Sequence, residues 1–138
     1  MNFSTHLNFN GNCDEAMKFY EKTFGGKIEF KMTWGESPMA KEVGADFQDK
    51  IMHESMSLGH TMLMGADSPP GRFQKAQGIV VSINVETPED ADRVFKSLAE
   101  GGSVQMPIAE TFWAKRFGMA TDKFGIPWMV NCSKPMNP

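Results

Sequence analysis

LNFNGNCDEAMKFYEKTFG, residues 7–25, is followed further along the chain by INVETPEDADRVFKSLAEG, residues 83–101, and the two align without a gap. The offset from Gly25 to Gly101, 76 positions, also sets Leu7 on Ile83, Asn8 on Asn84, Asp14 on Asp90 and Phe19 on Phe95. In the first copy, apolar Leu7 and Phe9 alternate with polar His6, Asn8 and Asn10, the pattern of a strand with two unlike faces. Gly11 and Asn12 break that strand. Asp14 is placed to cap a helix with Ala16, Phe19, Tyr20, Thr23 and Phe24 on one face, and Gly25 with Gly26 ends it. In the second copy, residues 80–85 form the strand. Thr87 or Glu89 starts the helix with Pro88 in its first turn, Ala91, Val94, Phe95 and Leu98 make its buried face, and Gly101 with Gly102 stops it.

Outward from this pair, each copy continues into three more strands. After the first come residues 27–34, with Ile28, Phe30, Met32 and Trp34 on one side, and then 51–58 and 61–66 around a tight turn at Gly59 and His60. Residues 35–50 follow neither period and read as a long connection able to serve as a mobile lid. After the second copy come 104–108, 117–121 and 127–132, the last two joined by a turn at Asp122–Gly125. Residues 67–78, with Pro69, Pro70 and Gly71, are the linker. The expectation is an α+β chain, one domain over residues 1–138 made of two βαβββ modules at about 1–67 and 78–138. Side by side, the modules would form a curved sheet around a concave cavity, with the helices outside and a ligand within. Strand parity assigns His6, Asn8, Ser82, Asn84 and Met129 to the concave face, and Leu7, Phe9, Val81, Ile83, Trp128 and Val130 to the helix side.

Composition narrows the function classes. Fourteen basic and 17 acidic residues, with no basic run, leave no electrostatic footprint for nucleic acid or an anionic membrane. No apolar run reaches the roughly 20 residues of a membrane span and the N-terminus lacks a signal-peptide pattern, so a cytoplasmic protein is expected. Cys13 and Cys132 have no metal or disulfide spacing and read as ordinary thiols. Twelve Met residues suit either a core or an adaptable cavity. His53 and His60 read as core and turn, because alternation sends Met52 and Met56 to the face opposite His53.

The densest chemistry lies in ETFWAKRFGMATDKFGIPWMVN, residues 110–131. Phe112, Trp113, Phe117, Phe124 and Trp128 can fill core, but Glu110, Lys115 and Arg116 among them have the make-up of a pocket mouth. Trp113 offers a stacking surface, Lys115 and Arg116 can meet an anion, and Glu110 can orient Arg116. A Glu110 desolvated by these rings would have a raised pKa and could transfer protons.

The paired modules resemble the vicinal oxygen chelate superfamily, which includes glyoxalase I, extradiol dioxygenases and bleomycin-resistance proteins. NFNGNCDEAMKFYEKTFGG and ETFWAKRFGMATDKFGIPWMVN are similar to its PhnB-like branch, whose members often carry the label 3-demethylubiquinone 3-methyltransferase. Neither helix start here, GNCDEA or TPEDAD, has the glycine-rich turn that usually binds the methyl donor. The chelate enzymes hold a divalent metal with His, Gln or Glu. The resemblance puts His6 at the first such position, the second near Leu63, the third at Val80 or Ser82 and the fourth at Met129. One imidazole among these makes a weak metal site, so no metal and no cofactor are expected, and His6 reads as a polar group of the cavity. The resemblance also implies a homodimer, and the Met-rich strands and many aromatics add apolar surface for one.

Three functions compete, and the methyl transfer named by the branch label ranks last. One is a metal-independent protein that binds a small, polar or anionic molecule through His6, Asn8, Ser82, Asn84, Glu110, Trp113, Lys115, Arg116 and Met129. Another is an enzyme with Glu110 or His6 in acid–base work.

Overall fold

β1 (Thr5–Phe9) leads into α1 (Cys13–Phe24), and β2 (Lys27–Thr33), β3 (Ile51–Leu58) and β4 (Thr61–Asp67) complete the first half of a computed structural model that describes residues 1–135. The second half repeats the series as β5 (Val81–Asn84), α2 (Pro88–Ala99), β6 (Ser103–Ala109), β7 (Ala114–Thr121) and β8 (Pro127–Ser133). The chain divides into two compact units, Met1–Lys75 and the residues from Ala76 onward, with the boundary inside the expected linker. Each unit is a βαβββ module with its own four-stranded sheet. Their orders are β1-β4-β3-β2 and β5-β8-β7-β6. The first strand of each module runs parallel to the fourth, and the other pairs are antiparallel. The repeat in the sequence is therefore a repeat of topology.

The modules also match rung for rung. Leu7, Gly65 and Glu54 are register partners across β1, β4 and β3. Ile83, Val130 and Gly118 are the corresponding partners across β5, β8 and β7. The helix covers one face of each sheet. Leu7 and Phe9 are buried while His6 and Asn8 are exposed, as alternation requires, and the Phe9 ring lies against Tyr20 of α1. Trp128 and Val130 are buried in the second module, and Ser82 and Asn84 are exposed.

The helices differ in how they begin. Thr87 caps α2 by accepting from the Asp90 N–H at 3.1 Å, with Pro88 at the first helical position. In α1 the expected cap, Asp14, lies inside the first turn and pairs with Lys18 and Lys31 instead. Asn12 occupies the cap position and makes no capping bond. The free amides are satisfied from elsewhere: buried Asp67, at the end of β4, accepts from the N–H groups of Gly11 and Cys13 through Oδ1 and from Ile51 through Oδ2. α1 ends at Gly25, whose positive φ lets its N–H reach the Glu21 carbonyl.

The connection 35–50 is more ordered than a free lid. It holds two short 3₁₀ turns, Ala40–Glu42 and Ala45–Phe47, and buries Phe47 against Trp34. Among the described residues, no helix is long and apolar enough to cross a membrane.

Candidate ligand-binding site

In the first module, the face of the sheet opposite α1 gathers His6, Phe30, His53, Ser55 and Met64. His6 and Met64 are register partners, Met64 pairs with Ser55, and Ser55 with Phe30. The His6 and His53 rings are nearly parallel with centroids 6.3 Å apart, and Phe30 lies 5.9 Å from His53. Crowding of the His6 imidazole lowers its pKa, and the neighbouring charge of His53 lowers it further. His6 is thus biased toward the neutral form, with one nitrogen able to accept a proton or hydrogen bond.

This arrangement corrects one expectation. His53 is not a core residue: it is half-buried beside His6. Alternation sets it opposite Met52 and Met56, and buried Met56 on the helix side is the signal that His53 faces outward. Near Leu63, where the resemblance implies the second chelate position, Leu63 itself is buried and the residue next to His6 across the ladder is Met64. A thioether is a poor ligand for a hard cation.

In the second module, the open face holds Ser82, Asn84, Phe117, Met119, Met129 and Asn131. Ser82 pairs in register with Met129, Asn84 with Asn131, and Phe117 with Asn131. The Asn131 amide donates to Asn84 Oδ1 at 3.2 Å and to Ser133 Oγ at 2.8 Å. Its own Oδ1 is shielded and has no partner among the described residues. A carbonyl oxygen in that state favours an incoming N–H or O–H donor. Asn131 went unnoticed in the sequence, although it shares the parity of Met129.

The stretch 110–117 is arranged differently from expectation. Thr111 Oγ1 accepts from the N–H groups of Trp113 and Ala114, making a tight turn that holds the rings outward. Phe112 is 89% and Trp113 43% exposed, and Trp113 packs edge-on against both Phe112 and Phe117. Of the five aromatics read as possible core, Trp128 is buried. Glu110 does not orient Arg116. Its carboxylate pairs with Lys134 at 2.9 Å, and that hydrogen bond and charge, with a smaller effect from Arg116, lower its pKa instead of raising it. Glu110 is exposed, so the desolvation needed for a raised value is missing. Arg116 turns to Asp92 of α2, 3.2 Å away, because an irregularity between Ala114 and Arg116 sets Arg116 in register with buried Cys132. Lys115 remains exposed and in no ion pair among the described residues.

A polar cluster on the helix side of the first sheet went unforeseen. Glu54 is fully buried, with Oε2 lacking a hydrogen-bond partner among the described residues and Oε1 4.0 Å from the Cys13 thiol. Burial, with the Asp14 carboxylate beside it, pushes the Glu54 pKa up to about 8. Burial and the nearby Asp67, Glu54 and Asp14 charges push the Cys13 thiol up as well, so it is inert.

Comparison with known proteins fits this architecture. The sequence profile of the Glyoxalase/Bleomycin resistance protein/Dioxygenase superfamily matches residues 5–130. Protein YjdN of Escherichia coli K12 is 34% identical over 142 residues, covering 97% of each chain. Among solved structures, protein PA1353 of Pseudomonas aeruginosa is 44% identical with a TM-score of 0.89, covering 98% of this chain and 99% of that one. A Bacillus cereus PhnB protein, described as a putative 3-demethylubiquinone-9 3-methyltransferase, is 27% identical with a TM-score of 0.80, covering 96% of this chain and all of its own. With all but the end of β8 inside the matched span and the same topology in each module, the chain belongs to the glyoxalase/bleomycin resistance/dioxygenase superfamily as a PhnB-like member.

Proposed function

We propose that this protein binds a small polar or anionic molecule without a metal, using the open faces of its sheets. The observation that carries this reading is the donor set. At and beside the positions where the superfamily chelates a metal stand His6, Met64, Ser82 and Met129, of which His6 alone is a usual ligand for a divalent transition metal. The same faces do offer hydrogen-bonding groups: neutral His6, Asn8, Ser82, Asn84, and Asn131 with its unpartnered oxygen. Trp113, just before β7, and Lys115, within it, add an exposed ring and a cation in no ion pair among the described residues. Methyl transfer, the activity named for the Bacillus cereus relative, lacks its glycine-rich strand-to-helix turn here. We further propose a cytosolic homodimer, supported by large apolar side chains left at the surface, among them Phe30, Met62, Val104 and Met106.

Elemental analysis of protein purified without a chelator or metal-affinity tag tests the central claim. Zinc, nickel, manganese and iron should each be well below one per chain. Near-stoichiometric metal that is lost in His6→Ala would overturn the reading and restore chelate chemistry.

The second reading is an enzyme with His6 as acid–base group, favoured by its lowered pKa and by His53 beside it. Glu110, ionised and held by Lys134, suits that role less well.

A further inference from the structure

Away from the open faces, the β2–β3 connection and the segment after β4 enclose a cleft of about 390 Å³ within the first unit. That volume lies in the range of small-molecule sites, roughly 300–1,000 Å³. Trp34, Val43, Pro69 and Pro70 supply apolar wall, and Glu42 and Arg72 are the two charged residues that line it.

The walls are held by short-range bonds. The Gln48 side-chain amide donates to the carbonyls of Ala40, Val43 and Gly44 at 2.8, 3.1 and 3.3 Å, pinning the segment that carries Glu42. Trp34 Nε1 donates to the Asp67 carbonyl at 3.1 Å, which uses up the indole donor and leaves the ring as a contact surface. The N–H of Arg72 closes a turn on the Pro69 carbonyl at 3.0 Å. The backbone around both charges is thus preorganised, while the charged heads are free: among the described residues, neither Glu42 nor Arg72 makes an ion pair. An unpaired acid and base on one cleft disfavour a ligand of single charge, which would gain from one and be repelled by the other.

We propose that this cleft is a second binding site, for an α-amino acid with a large apolar side chain. The ligand ammonium meets Glu42, its carboxylate meets the planar guanidinium of Arg72, and its side chain lies against Trp34 and the two prolines. The site is independent of the open sheet faces. Both charges are exposed, so affinity is modest, in the millimolar range or somewhat tighter.

The test is an NMR titration of the full chain with L-phenylalanine, 3-phenylpropanoate and 2-phenylethylamine, following backbone amides and indole N–H signals. Phenylalanine should shift residues 34–48 and 69–72 saturably, and bind at least about fivefold tighter than either single-charge analogue. Glu42→Gln and Arg72→Gln, at exposed positions where folding is not at risk, should each weaken it by a similar factor. The proposal is overturned if phenylalanine gives no saturable shift up to about 10 mM, if the analogues bind equally well, if either variant binds as wild type does, or if the shifts map elsewhere.

Discussion

On the rung where β1, β4 and β3 meet, the first module has Leu7, Gly65 and Glu54, and on the matching rung the second has Ile83, Val130 and Gly118. The same space under a helix is filled from opposite sides. In the second module the helix supplies the bulk, and Phe95 lies so close to Gly118 that an added Cβ would come within 2.7 Å of the ring. In the first, the sheet supplies a carboxyl side chain, and the glycine has moved one strand over to Gly65, where Cys13, Phe9 and Met17 close in. A duplicated backbone path does not require duplicated packing. Filled volume is what a core conserves, and either layer can provide it.

The largest test of this contrast concerns the buried aspartates. Asp67 serves three backbone amides drawn from two other elements and their flanks, whereas Asp122 accepts from the N–H groups of Phe124 and Ile126 and from the Trp128 indole, all within its own hairpin. Asp67→Ala leaves three amides unsatisfied and should cost about 4 kcal/mol by denaturant unfolding, with hydrogen exchange rising first at the start of α1. Asp122→Ala should leave protection of α2 intact; equal loss there would mean that the two carboxylates serve the same purpose.

Next comes the pH dependence of Glu54. Its folded pKa of about 8 lies above the ordinary 4.5, so the folded chain keeps a proton that the unfolded chain releases. Stability therefore falls as pH rises from about 4.5 to about 8 and then levels off, with a total change on the order of 5 kcal/mol. Glu54→Gln should flatten that slope in melts taken across the window. An unchanged slope would place the proton on another group.

The smallest effect distinguishes the two close-approach glycines. Gly118→Ala pushes a methyl into the Phe95 ring and the Ile108 backbone and should cost about 2 kcal/mol, whereas Gly65→Ala meets side-chain atoms at 3.0 Å or more and should cost about half as much. Thermal melts of the pair would sharpen the comparison, and a reversed order would break it.

Much of this was legible in the sequence, because alternation and helical spacing are local. The repeat, the strand parities around Leu7 and Ile83, the Gly59–His60 hairpin and the buried face of α2 all follow from neighbours within a few positions. What escaped depends on contacts made at a distance or on broken registers. The β7 strand begins at Ala114 instead of Phe117 because its irregularity near Lys115 interrupts the alternation, and the same slip sends Arg116 to Asp92. Asp14 looked like a cap because Asp67, 54 residues from Cys13, gave no local sign of taking that role. Glu54 shares the parity of Met52 and Met56, but a charged residue in a strand is read as solvent-facing.

That remote cap also bears on the order in which a growing chain can organise itself. Thr87 and Asp90 emerge together, so the start of α2 is satisfied as soon as it is synthesised. The start of α1 leaves the ribosome 54 residues before Asp67 and waits with open amides until β4 arrives to pair with β1 and close both deficits at once. Both modules need their last strand to pair with the first, but only the module made last has a helix that carries its own starting signal.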